Sequence, residues 1–295
     1  MTYTIPLAAL CLLVANRPQG AEFIVQSHRG AGNLAPDNSM IAFKLGWHIG
    51  TIPEADVRAT ADGVIVAFHD NNFTRLAPNA DPAVRDKSVS DLDWEVVSQI
   101  DTGSYFGPLY AGVHIPRLGD ILDQMRGRPE RRLYLDIKKV SLDKLAAEVR
   151  KAGVERQVIL ASTRYDEIRE WKRLVPESGT LLWMGENEAR LKERLAELRR
   201  TGFADITQLQ VHVRVGCLDK PGTNDDPFAP SSKFLRQTMS EVRAKGILFQ
   251  VLVIGSDNPR AYEKLMDLGI DSFATDDPLV TLDVMRNYAR RKAGS

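Results

Sequence analysis

Short apolar runs rich in β-branched residues recur along the whole chain, with amphipathic stretches between them. The runs are 23–27, 52–53, 64–68, 132–137, 157–161, 180–184, 206–213, 247–254 and the shorter 271–275. Runs of this length and composition read as buried strands. Between them, 143–152 follows Leu142 and sets it on one stripe with Leu145, Ala146 and Val149. The stretch 186–200 spaces Leu191, Leu195 and Leu198 among i,i+4 charges, and 259–268 is closed by Gly269 as a C-cap. Alternating strands and helices over such a length argue for an α/β fold with a parallel sheet and crossovers. With about eight strands, the sheet is expected to close as a TIM-like (β/α)8 barrel.

Two irregularities interrupt the pattern. Only 59–63 separates the second run from the third, too little for a crossover helix, since a parallel connection needs a dozen or more residues. Either the barrel lacks a helix between strands 2 and 3, or one strand pairs unusually. Nine candidate strands also leave one outside a strict eight. The second irregularity is 71–117, a long, polar, turn-rich insertion after strand 3 that carries Trp94, Tyr105, Phe106 and Tyr110. Long loops at an active-site strand end form lids or substrate walls, or else simply cover the barrel mouth.

The 39 basic and 39 acidic residues cancel, so no whole-chain field draws nucleic acid or an anionic membrane. Two cysteines, Cys11 and Cys217, exclude a disulfide scaffold and a Cys-rich zinc site. Residues 5–15 form an apolar run of signal-peptide length, followed by a breaker-rich stretch. Residues 1–21 are therefore expected to be an export signal, giving a secreted or periplasmic protein. The alternative is an N-terminal arm covering the barrel bottom in a cytoplasmic one. The barrel domain is expected over 22–285, and no later segment is long and apolar enough to span a membrane.

The chemistry-bearing residues stand at the ends of the early runs. His28-Arg29-Gly30 follows the first, Glu54-Ala55-Asp56 lies on the second, and His69-Asp70 follows the third. Barrels build sites from the ends of several strands. Glu54 and Asp56 are two apart, so they share a face. Unpaired, they would repel one another, and either a divalent cation or a basic partner such as Arg58 would relieve this. Leu135-Asp136-Ile137-Lys138 adds a third acid. Three oxygen-donor acids without a thiol favour Mg²⁺ or Ca²⁺ over zinc. Lys138 could hold a phosphate oxygen or simply pair with Asp136. His28 and His69 could be metal ligands, satisfied polar residues or proton carriers, and Arg29 suits a phosphate. Together the set fits metal-assisted hydrolysis of a phosphate ester.

The segment 28–39, opening with His28-Arg29-Gly30, resembles the first motif of glycerophosphodiester phosphodiesterases. The resemblance continues through 54–63, 66–70, 101–107, 115–118, 135–138 and 269–278. It covers about 23–279, with order and spacing both matching. It implies a TIM-like barrel with a subdomain inserted after the third strand, and one Mg²⁺ or Ca²⁺ held by Glu54, Asp56 and Asp136. It implies His28 and His69 as the acid/base pair, Arg29 and Lys138 as a phosphate clamp, and products sn-glycerol 3-phosphate and an alcohol. Asp37, Ser39 and Asp136 replace the commoner Glu, Thr and Glu. A tryptophan-containing motif near the penultimate strand has no counterpart in 249–255. Selectivity for the alcohol is therefore expected from 71–117, with Tyr105 and Phe106 as its substrate walls.

Other readings remain at this point: a lipid or sugar phosphodiesterase or lyase on the same scaffold giving a cyclic phosphate, a non-catalytic binding barrel, and a sugar-processing barrel with paired carboxylates. In every enzymatic case the expected partner is a small molecule, for the first reading a phosphodiester, with no nucleic acid and no stable membrane span.

Overall fold

The computed structural model describes residues 23–218, 226–254 and 258–294. The expected signal peptide or arm at 1–21 lies outside them.

The chain alternates β1 (Ile24–Ser27), α1 (Met40–His48), β2 (Ile52–Ala59) and β3 (Ile65–Ala67), then enters the insertion with two single-turn helices, α2 (Pro82–Arg85) and α3 (Trp94–Val97). It resumes with α4 (Leu118–Asp123), β4 (Leu133–Lys139), α5 (Leu142–Ala152), β5 (Val158–Ser162), α6 (Tyr165–Leu174), β6 (Gly179–Met184) and α7 (Glu188–Arg200). The last part comprises β7 (Gln208–Val215), the two-residue β8 (Phe228–Ala229), α8 (Ser232–Arg243), β9 (Leu248–Ile254), α9 (Pro259–Asp267), β10 (Ser272–Thr275) and α10 (Pro278–Ala293).

Eight strands pair in parallel around a closed ring, in the order β1-β2-β4-β5-β6-β7-β9-β10 and back to β1. This is the expected TIM-like barrel. One detail is corrected. The third apolar run, β3, is not a barrel strand: it pairs antiparallel with β2, Val57 opposite Ala67 and Ala59 opposite Ile65. No parallel step lacks its helix, because a five-residue link can only make a hairpin. The insertion and α4 together form the crossover from β2 to β4.

Local sequence fixes the helix ends. Ser141 caps α5 by accepting from the Lys144 N–H, and Gly153 ends it at φ 68°, a left-handed turn that glycine adopts without strain. Asn187, Ser231 and Asn258 cap α7, α8 and α9 in the same way. The helices bury their apolar stripes on the barrel through Leu145, Val149, Trp171, Leu191, Leu195, Leu235 and Leu265. Each such side chain contributes about 1.5–3 kcal/mol by leaving water. The insertion has its own small core of Phe68, Phe73, Leu76, Val89, Val97 and Ile100.

The barrel interior is polar rather than aliphatic on several strands. Gln26, Gln210 and Gln250 form a buried chain with Tyr134 and Gln208. This layer reaches up to the site, because Gln26 Nε2 donates to Glu54 Oε2 at 2.8 Å.

Candidate active site

The site is at the C-terminal ends of the barrel strands and uses the hairpin. Strand β2 carries Glu54 and Asp56 on one face. Strand β4 pairs in register, Asp56 opposite Asp136. One oxygen from each of Glu54, Asp56 and Asp136 lies within 4.8 Å of the others, and all three residues are buried. Among the described residues, this is the group of acids or imidazoles arranged to hold a cation.

One lysine serves these carboxylates. Lys138 Nζ sits 2.6 Å from Asp136 Oδ2 and 3.0 Å from Asp56 Oδ1. The second approach is an ion pair without hydrogen-bond geometry, so Asp56 Oδ1 has no hydrogen-bond partner. Asn38 fixes the other oxygen: its amide donates to Asp56 Oδ2 at 2.8 Å and its carbonyl accepts from the Asp56 N–H. Burial pushes Glu54 up. Burial, then Glu54 and Asp56, push Asp136 up to about 7 despite its lysine. Burial works upward on Asp56 too, but Lys138, His69 and Asn38 outweigh it and hold it down. A single lysine cannot neutralise three buried carboxylates, and this is the environment that a hard cation relieves.

The two histidines flank the acids, each held by a neighbouring aspartate. His28 Nδ1 lies 2.7 Å from Asp276 Oδ1, and His69 Nδ1 lies 2.7 Å from Asp70 Oδ1. In both, the carboxylate engages Nδ1, and Nε2 lies outside that contact. Burial opposes the charge on His28, but Glu54, Asp276 and Asp56 overcome it and push the imidazole up to about 9. A close loop contact joins His28 to Asp276. Gly32 has φ 56°, and a Cβ there would overlap the Asp276 carbonyl, which instead accepts from the Asn33 N–H at 2.7 Å. His69 reaches the site because β3 runs back down toward the mouth, so that the Phe68 N–H bonds the Asp56 carbonyl. Arg58, the nearest basic residue in sequence to the acid pair, instead grips the His69 carbonyl through Nε and Nη2 at 3.0 and 2.6 Å.

Arg29, in the left-handed region at φ 51°, gives Nη1 to Asp37 Oδ2 at 2.8 Å and leaves Nε buried without a partner. Arg75 also reaches Asp37 and, through Nε, Asp70 Oδ2 at 2.7 Å. Tyr105 hooks onto the same loop, its hydroxyl accepting from the Asp37 N–H at 2.9 Å. Tyr105, Phe106 and Tyr110 stack edge to face at 6.0 and 5.2 Å. His28, Arg29, Asp37, Arg75, Tyr105, Phe106 and Asp276 line a cavity of about 210 Å³.

All nine residues singled out from sequence for metal, catalysis or substrate thus lie at this mouth. The sequence reading missed Arg75, which sits in a turn-rich stretch without periodicity. It also missed Trp183, whose Nε1 is 3.4 Å from Asp136 Oδ1 and whose ring stacks on His212 at 5.0 Å. Trp183 and His212 lie within apolar runs that read simply as strands. His212 is kept neutral, at about 4, by burial and by the nearby His28 charge. Cys217 is exposed and is not among the residues that line the cavity.

The glycerophosphoryl diester phosphodiesterase family model matches residues 28–280. A glycerophosphodiester phosphodiesterase of Caldanaerobacter subterraneus is 23% identical over 89% of this chain and 98% of its own. Two solved structures share the fold. A glycerophosphodiester phosphodiesterase from Agrobacterium tumefaciens has a TM-score of 0.66 at 21% identity, covering 88% of this chain and 99% of its own. An Oleispira antarctica phosphodiesterase, solved in complex with the product sn-glycerol-3-phosphate, has a TM-score of 0.64 at 23% identity, covering 89% and 96%. By the extent of the family match, the chain belongs to the glycerophosphoryl diester phosphodiesterase family and is a phosphoric diester hydrolase.

Proposed function

We propose that the protein hydrolyses glycerophosphodiesters to sn-glycerol 3-phosphate and an alcohol, with one divalent cation and two histidines acting as acid and base. The observation that carries this reading is the buried set of Glu54, Asp56 and Asp136 within 4.8 Å, with an imidazole on either side. The donor set fits a hard cation: three carboxylates, no thiol, and an Asp56 oxygen without a hydrogen-bond partner. Glu54, Asp56 and Asp136 would hold Mg²⁺ or Ca²⁺, which when bound supplies a Lewis acid for a phosphoryl oxygen.

This chain's own groups supply the rest. Arg29 faces the cavity with an uncommitted Nε and binds a phosphate oxygen. Lys138 counters charge beside it. Asp276 and Asp70 hold His28 and His69 by Nδ1, so each exchanges its proton at Nε2. One histidine takes the proton of the attacking water, and the other gives a proton to the departing alkoxide. Tyr105 and Phe106 close the side of the cavity nearest the insertion. The sn-glycerol-3-phosphate bound in the Oleispira structure supports glycerol 3-phosphate as the product here.

The test is product analysis on glycerophosphodiesters before and after exhaustive chelation. Glycerol 3-phosphate should form, vanish with chelator, and return with Mg²⁺ or Ca²⁺. Full turnover in chelator rules out the metal role, and a cyclic phosphate as the final product rules out water as the nucleophile.

A further inference from the structure

The two acids of β2 are each held by a carboxamide from another part of the chain. Asn38 donates to Asp56 Oδ2 and Gln26 donates to Glu54 Oε2, both at 2.8 Å. The second oxygen of each acid carries no hydrogen bond. Asp56 Oδ1 has only the Lys138 ammonium 3.0 Å away, and Glu54 Oε1 takes no donor from any described residue. An ionised carboxylate only accepts, so each amide must turn its NH2 group to the acid and its carbonyl away. The Asn38 carbonyl finds the Asp56 N–H. The Gln26 carbonyl faces another glutamine in the barrel interior.

What stands behind Gln26 gives its amide a single orientation. Gln26 Oε1 accepts from Gln210 Nε2 at 3.2 Å, and the same NH2 group serves Gln250 Oε1. Gln250 in turn donates to the Tyr134 hydroxyl at 3.4 Å and to Ser272 Oγ at 3.2 Å. Those hydroxyls pass the donation on, Tyr134 to Gln208 Oε1 at 2.8 Å and Ser272 to the Ile24 carbonyl at 3.1 Å. Glu54 fixes the sense of this series at one end and a backbone carbonyl fixes it at the other. No member can flip without setting a buried donor against a donor. All three glutamines are buried and come from β1, β7 and β9, so the series ties separate walls of the barrel to one metal-site acid.

We propose that Gln26 is a positioning residue for the cation site: it holds Glu54 Oε2 and so presents Oε1 to the ion beside Asp56 and Asp136. This rests on the metal-dependent reading above and names the residue that sets how tightly the cation is held. Glu54 has one more rotatable bond than either aspartate. Left to turn among its rotamers, it would lose that freedom each time an ion bound, and affinity would fall. Gln26 touches neither ion nor substrate. Its effect runs through Glu54, and the glutamines behind it keep its own amide fixed.

The experiment is calorimetric titration of the metal-free protein with Mg²⁺ and, separately, with Ca²⁺, beside a thermal melt. Gln26→Met keeps the length of the side chain and removes its amide. Its Kd for the metal should rise about 10- to 100-fold, the scale for losing a group that orients a metal ligand. The Mg²⁺ concentration for half-maximal turnover should rise in parallel, while kcat at saturating metal falls less. A side chain that only filled the barrel would move the melting temperature and leave Kd alone, so a folded Gln26→Met with the wild-type Kd overturns the inference. Should that variant not fold, Gln210→Met decides. It spares the Gln26–Glu54 contact but removes the donor that orients Gln26, and Kd should rise by a smaller factor; the wild-type Kd there rejects the inference. If the wild type itself binds neither ion, the metal reading fails and the inference falls with it. Equal binding by wild type and variant overturns the inference alone.

Discussion

Arg75 and Asp37 stand 38 residues apart in sequence and meet at 2.8 Å, on the carboxylate oxygen that also takes Arg29. Arg75 holds Asp70 with its other face, and Asp70 holds His69. One exposed-edge arginine thereby ties the insertion, the β1–α1 loop and a histidine into a single chain of ion pairs. Arg75→Ala should lower kcat about 10-fold or more, the scale for a group that orients a functional side chain, with little change in melting temperature. Arg75→Lys should not rescue it, because a lysine cannot bridge two carboxylates in a fixed plane. Steady-state kinetics beside a thermal melt decides this; unchanged kcat in Arg75→Ala leaves the arginine a purely surface role.

His28→Ala and His69→Ala should each lose about 10²-fold or more in kcat and remain folded, since neither ring belongs to the packed core. A leaving group that needs no proton should rescue the variant lacking the acid and leave the other inactive. Rate comparison on a nitrophenyl diester and an alkyl diester assigns the two roles. Near-native rates in either variant on both esters would refute the paired mechanism.

The pH response of the metal-free protein follows from His28. Its folded value, about 9, lies above its ordinary 6.5, since Glu54, Asp276 and Asp56 overcome burial. The charged ring stabilises the fold fully below 6.5, and this contribution is lost as pH rises through 9. Melting temperature in chelator should therefore fall between about pH 7 and pH 9, and His28→Gln should flatten that slope. Saturating Mg²⁺ should flatten it too, by neutralising the carboxylates. A slope unchanged in His28→Gln assigns it to other groups.

Asp101 organises the ring-bearing loop. Its oxygens accept from the N–H groups of Gly103, Ser104 and Gly112 and from the Ser104 hydroxyl. Burial resists its charge, but these donors hold it well below the usual carboxylate range. A lowered value means a contribution present above the ordinary 3.8 and lost as pH falls further. Asp101→Asn should speed proteolytic nicking within 71–117 severalfold, and should raise KM more than it lowers kcat, because Tyr105 and Phe106 follow this turn. Nicking at the wild-type rate would show that the loop is held by its core alone.

The fold was legible because strand and helix periods alternate cleanly, and the site because its acids and histidines close the first runs. What hydropathy could not give was strand direction. Run 64–68 is as apolar as its neighbours, and only the five-residue link 59–63 marked it as exceptional. Gln26, Gln210 and Gln250 were equally opaque, though each interrupts an apolar run at an inward position, which is the signal of a polar layer. Arg75 gave no sign, because an arginine in a turn-rich stretch gains meaning only from the Asp37 and Asp70 that the fold brings to it.

The antiparallel return of β3 places His69 on the stem of the insertion rather than on the barrel wall. The insertion and one of the two histidines proposed for proton transfer are therefore mechanically one piece. Exchanging the insertion between related enzymes cannot be a neutral cassette swap. A chimera cut before Ile65 would bring a foreign histidine stem whose fit against Asp56 is untried. One cut after Asp70 would keep the stem but discard Arg75, the clasp that holds it, so a new specificity and a working site have to be selected together.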